Sequence, residues 1–94
     1  MATRRVYVFA YDVANDARRF RVAKLLERRG IRVQESVFEV RTTHGGAETL
    51  AAQLKRRMRL GDSLRVYPVP GPMLRYCIMH GGAPVPERND FLLF

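Results

Sequence analysis

Asp12 is the residue best placed for chemistry in this chain, because of what precedes and follows it. It closes the run Val6–Asp12 (VYVFAYD), a strand whose side chains are apolar on both faces and which therefore belongs in the middle of a covered sheet. Arginine-rich sequence follows at once. A carboxylate is a hard oxygen donor for a divalent cation, and guanidinium forks match phosphate oxygens, so the pair suits phosphodiester chemistry. One carboxylate is a thin donor set, which a twofold mate from a second copy would complete. Two structural roles compete with this: Asp12 as a turn acid capping the next helix, or as the partner of Arg19. At 100° per residue Arg19 falls inside the apolar arc of the first helical turn, where a guanidinium needs a carboxylate, a phosphate or an escape to solvent.

Other chemistries find little support. His44 and His80 lie in glycine-flanked loops without a second ligand at metal spacing, and Glu35, Glu39 and Asp62 read as scattered surface or turn acids. There is no glycine-rich phosphate loop, CxxC, HExxH or RNP1-type strand. The single cysteine, Cys77, has no disulfide partner and falls in the apolar run 74–79, which suits a buried thiol.

The elements that would position Asp12 follow from periodicity. Asn15 or Asp16 is the expected N-cap of a helix reaching about Arg29 and stopped by Gly30. Phe20, Val22, Ala23 and Leu26 form its sheet-facing arc, and Arg18, Arg21, Lys24, Arg28 and Arg29 the other side. Residues 31–41 make a strand whose parity breaks near Glu35–Ser36, so it is either one bent strand or a hairpin. A second helix is expected over about Ala47–Leu60, then strands at Leu64–Val69 and Met73–Met79 around the turn Pro70–Gly71–Pro72. Both helices pack on one face of an antiparallel sheet. Tyr7, Phe9, Tyr11, Tyr67 and Val69 are then expected on the other face, as a patch for a twofold dimer or for the chain's own tail.

Composition narrows the partners. Ninety-four residues make one domain, with residues 83–94 as a tail whose apolar end, Phe91–Phe94, is suited to a short strand, in its own sheet or a partner's. Net charge is +8 and fifteen of the seventeen basic residues are arginine, which points to nucleic acid. No membrane span is present and the N-terminus lacks a signal-peptide core, so a cytoplasmic protein is expected.

The run from Tyr7 to Val40 resembles the CRISPR-associated adaptation family, its small "two" member, the partner of the CRISPR integrase. The resemblance rests on Tyr11–Asp12 ending a strand, Asp16 and Arg19 opening a helix, the stretch Gln34 to Glu39, and Asp62–Ser63–Leu64–Arg65–Val66–Tyr67. It implies a ferredoxin-like βαββαβ sandwich with an extra C-terminal strand, a homodimer through the sheet faces, and a Mg2+-dependent endoribonuclease or DNase. It makes Asp12 the metal ligand and catalytic residue, shared between protomers. Supporting positions fall on Tyr11, Arg19, Arg21, Arg32 and Phe38, and Arg18 joins them as a nucleic-acid contact. Two alternatives remain: a non-catalytic DNA scaffold of the integrase complex, and a toxin-type ribonuclease of the same fold.

Overall fold

A computed structural model describes residues 3–85. In chain order the elements are β1 (Arg5–Asp12), α1 (Asp16–Glu27), β2 (Ile31–Gln34), β3 (Val37–Thr42), α2 (His44–Lys55) and β4 (Ser63–Val69), followed by a 3-10 helix at Gly71–Tyr76. The parity break is a hairpin: Glu35–Ser36 form its turn, and a bulge between Arg32 and Gln34 absorbs the phase change. The sheet order is β2-β3-β1-β4, all antiparallel, which with the βαββαβ sequence defines a ferredoxin-like fold. β1 is central, running in register from Arg5↔Thr42 to Ala10↔Val37 on one side and from Val6↔Val69 to Asp12↔Ser63 on the other.

The two faces of β1 are reversed from the sequence-based expectation. Tyr7, Phe9 and Tyr11 point into the helical layer, where they pack with Val22, Leu26, Phe38, Leu50 and Leu54. The physical reason is volume: helices stand well clear of a sheet, and large aromatic rings fill that depth. The smaller Val6, Val8 and Ala10 therefore take the opposite face with Tyr67 and Val69, which do lie there as expected. Phe20 is a second correction. Helical periodicity puts it on the sheet-facing arc, yet it is 62% exposed, and the partly buried Leu25 packs against the core.

Capping chemistry moves the second helix. Thr43 accepts a hydrogen bond from the Gly46 amide at 3.0 Å, so α2 begins at His44, ahead of Ala47, and it ends at Lys55 rather than Leu60. Gly30 allows the chain to turn tightly from α1 into β2. A Cβ there would overlap the Glu39 carbonyl oxygen and lie 2.7 Å from Val40 Cγ2.

No strand forms at Met73–Met79. Pro70 and Pro72 fix φ and remove amide donors, and the chain coils into the 3-10 helix instead. This segment crosses the face away from the helices, where Leu74 and Val85 pack on Val6, with Val69 and the half-buried Cys77 alongside. One end of that face is thus covered by residues 71–85, most of them upstream of the tail, which lies largely outside the described residues. The proposed strand at Phe91–Phe94 lies outside the described residues.

Glu39 shares this covered end. It faces the same side as Val8, its partner across the ladder, and it lines a cleft with Val33, Gln34 and residues 78–83. Its Oε1 is buried without a hydrogen-bond partner among the described residues, and burial pushes its carboxyl above the ordinary glutamate range. A group that binds its proton more tightly when folded lowers stability as pH rises through that raised value. Glu39→Gln is therefore expected to raise Tm at neutral pH and to leave it unchanged near about pH 4, as read from paired thermal melts.

Candidate metal and nucleic-acid site

The ladder register carries Asp12 to the face away from the helices. Side chains of directly paired residues share a face, so Val8, Ala10 and Asp12 stand beside Tyr67, Arg65 and Ser63 of β4. The covering segment reaches Val6, at the other end of β1. Asp12 itself is exposed, and its carboxylate makes no hydrogen bond or ion pair among the described residues.

Both structural roles that competed for Asp12 are filled by other groups. Asn15 caps α1, its side chain accepting from the Arg18 amide at 2.9 Å. Arg19 donates to the carbonyls of Val13 at 3.0 Å and Ala14 at 3.1 Å and pairs with Asp16. Its guanidinium thus pins the β1–α1 connection from the helical side. Among the described residues, Asp12 is left with its donor oxygens unpaired.

Arg18 is also engaged. Its Nε and Nη2 donate to the Asp62 carboxylate at 2.9 and 3.2 Å, tying α1 to the loop before β4. Those bonds, then the Arg59 amide, hold the Asp62 carboxyl below the usual carboxylate range. Asp62, read from sequence as an isolated acid, is therefore an anchor for α1.

Of the remaining expected contacts, the fold brings Tyr11, Arg19 and Arg32 to one cleft of about 400 Å³ between α1 and the β2–β3 turn. Phe38 lies beneath it. Its ring stacks on Tyr11 at 6.3 Å and 25°, and the Arg32 guanidinium sits 5.1 Å over it. Phe38 is fully buried and Tyr11 nearly so, with its hydroxyl donating to the Glu35 carbonyl at 3.4 Å. Direct ligand contact is thus closed to Phe38, whose ring instead supports Arg32. Asp16, Glu27 and Glu35 also line the cleft and balance its cations. Arg21 stands apart on the outer side of α1, in a groove shared with Arg57. Asp12 and the cleft occupy the same end of the sheet on opposite faces.

Sequence reasoning missed Arg65. Paired with Ala10, it lies diagonally across from Asp12 on the same face, and its Nη1 donates to the Tyr67 hydroxyl at 3.4 Å. Only the β1–β4 register reveals that neighbourhood, although the alternation Arg65–Tyr67–Val69 already put those three on one side.

The family CRISPR associated protein Cas2 matches residues 5–75. The chain belongs to the Cas2 family. CRISPR-associated endonuclease Cas2 2 of Thermus thermophilus is 41% identical over 88 residues, covering 93% of each protein. A Cas2 crystal structure superposes with a TM-score of 0.71 at 30% identity, covering 89% of this chain and 92% of that one. A chain of a partial Cas6-RT-Cas1–Cas2 complex superposes at 0.66 with 26% identity, covering 87% of this chain and 97% of that one. The strand order agrees with the likeness to those Cas2 structures.

Among the described residues no three His, Cys, Asp or Glu side chains converge as a metal site. Mg2+ does not need such a cage, since it is held by one or two carboxylates and keeps several waters. An exposed, unpaired aspartate at a strand end fits one of those carboxylates. No described helix is long and apolar enough to cross a membrane.

Proposed function

We propose that this chain acts in CRISPR adaptation, the acquisition of spacers, as a nucleic-acid-binding homodimer with Mg2+-dependent phosphodiesterase potential at Asp12. The observation that carries the reading is the carboxylate of Asp12, unpaired among the described residues, on a stretch of sheet that those residues leave open. There the half-buried Ala10 and the 51% exposed Tyr67, next to Val8 at the edge of the covered end, offer an apolar strip to a second copy. Twofold packing across that strip brings two Asp12 carboxylates to one site. The names of relatives as endonuclease and endoribonuclease, and a likeness to a chain of a Cas6-RT-Cas1–Cas2 complex, support the reading, with the CRISPR integrase subunit as the partner.

When bound, Mg2+ would activate a water and offset the charge that develops on the phosphate. The chain's own residues have separate tasks. Asp12 would hold the cation. Arg65, on the same face, is placed to contact a non-bridging phosphate oxygen, and Tyr67 steadies its guanidinium. Arg19, bound to the carbonyls of Val13 and Ala14, keeps the end of β1 in place.

A scaffold that binds DNA without cutting it is the second reading. The single carboxylate found at the site in each chain, and the arginines on α1 and just beyond the end of α2 at Arg56, Arg57 and Arg59, favour it. Labelled RNA and DNA incubated with the purified protein in Mg2+ or EDTA separate the two. Cleavage that requires Mg2+ supports the phosphodiesterase. Tight, steeply salt-dependent binding without cleavage overturns it in favour of the scaffold.

A further inference from the structure

The exposed ring of Phe20 is not explained by the core or by the Asp12 face; with Lys24 it forms the ridge between the cleft around Arg19, which both residues also line, and a second groove. It stands in the first half of α1, 62% exposed, on a helix whose neighbouring surface is cationic. The Lys24 ammonium lies 5.2 Å from its ring centroid. Beside it runs an open groove of about 260 Å³ between α1 and the end of α2, lined by Phe20, Arg21, Lys24, Leu25, Arg28 and Arg57. Four of these six are cations and none is an acid. Glu27, which pairs with Lys24 at 3.7 Å, lines the cleft on the other flank of the helix. Arg57 is held in place by donating to the Gln53 carbonyl at 2.8 Å.

We infer that this groove is a subsite for an unpaired nucleotide, with a base stacked on Phe20 and the flanking phosphates on Arg21, Arg28 and Arg57. Charge selects an anion. The exposed aromatic selects a base, since a bare phosphate gains nothing from a phenyl ring and a paired base hides its face within the duplex. Arg28 also lines a second cleft with Arg4, Arg29 and Arg41, again without an acidic lining residue, so the strand has a cationic path beyond the groove. This layer lies across the sheet from Asp12, so a strand held here is not the one that Asp12 of the same protomer addresses.

The inference deepens the nucleic-acid reading and rests on it, but it is independent of cleavage, and its test is done in EDTA. Affinities for a single-stranded oligonucleotide and for a duplex of equal length are measured by fluorescence anisotropy across a salt series. Phe20→Ala is expected to weaken single-strand binding about fivefold or more and duplex binding less than about twofold, with the salt slope unchanged because no charge is lost. Phe20→Tyr keeps the wild-type value, and Arg28→Gln flattens the slope. Phe20 is exposed, so Tm should not move, and a melt run beside each titration checks this. Unchanged single-strand binding by Phe20→Ala overturns the inference and leaves Phe20 as a protein-docking residue. Equal losses on single strand and duplex overturn it too. Loss of cleavage in an Asp12 variant bears on neither outcome.

Discussion

Asp12→Asn is expected to reduce Mg2+-dependent cleavage at least about a hundredfold while leaving nucleic-acid affinity within about twofold. Asparagine has nearly the same shape but no charge, and its amide is a poor donor for a hard cation that must shed water to bind. Loss of a preorganised charge at a phosphoryl site typically costs two to three orders of magnitude, at about 1.4 kcal/mol per tenfold. The substitution should not disturb the fold, because Asp12 is exposed and its carboxylate is unpaired among the described residues. Exposed sites of that kind shift stability by about 0.5 kcal/mol or less. Single-turnover cleavage rates, with melting curves on the same preparations, check both halves. Cleavage that survives the substitution removes Asp12 from the chemistry.

The second large effect falls on stability. Phe38→Ala is expected to cost about 3–5 kcal/mol, because the ring is fully buried among Tyr11, Phe9 and the helical layer. A domain of this size has only about 5–15 kcal/mol in total, so Tm should fall by roughly 12 °C or more. Arg32→Ala should cost far less, since that guanidinium lies over the ring from an exposed position. Phe38→Ala that melts like the wild type yet binds nucleic acid poorly would return Phe38 to the ligand-contacting set.

The elements whose signal is local were legible in the sequence. The central strand, the break in parity at Glu35–Ser36 and a helix cap at Asn15 or Asp16 follow from parity and capping within a few residues, whereas the choice of a hairpin and the ferredoxin-like order came only with the family resemblance. What was not legible depends on long-range choices. Both faces of β1 are apolar, so alternation alone does not say which meets the helices; ring volume decides it in favour of Tyr7, Phe9 and Tyr11. The apolar run after Pro72 looks like a strand by composition, but prolines on its approach and the open face beneath it favour a coiled cover. At the site, Asp12 was identified from its position alone. Its separation from Arg18 and Arg19, and its nearness to Arg65, required the register and the partners those arginines find at Asp62, Asp16 and the β1–α1 carbonyls.

The central claim is that two copies of Asp12 complete one metal site across the end of the sheet face that the described residues leave open. The most direct measurement is the stoichiometry of Mn2+ bound per chain, followed by electron paramagnetic resonance as a stand-in for Mg2+, on wild type and on Asp12→Asn. One ion per two chains, lost in the variant, is the predicted result. One ion per chain, or binding that persists in Asp12→Asn, would contradict it.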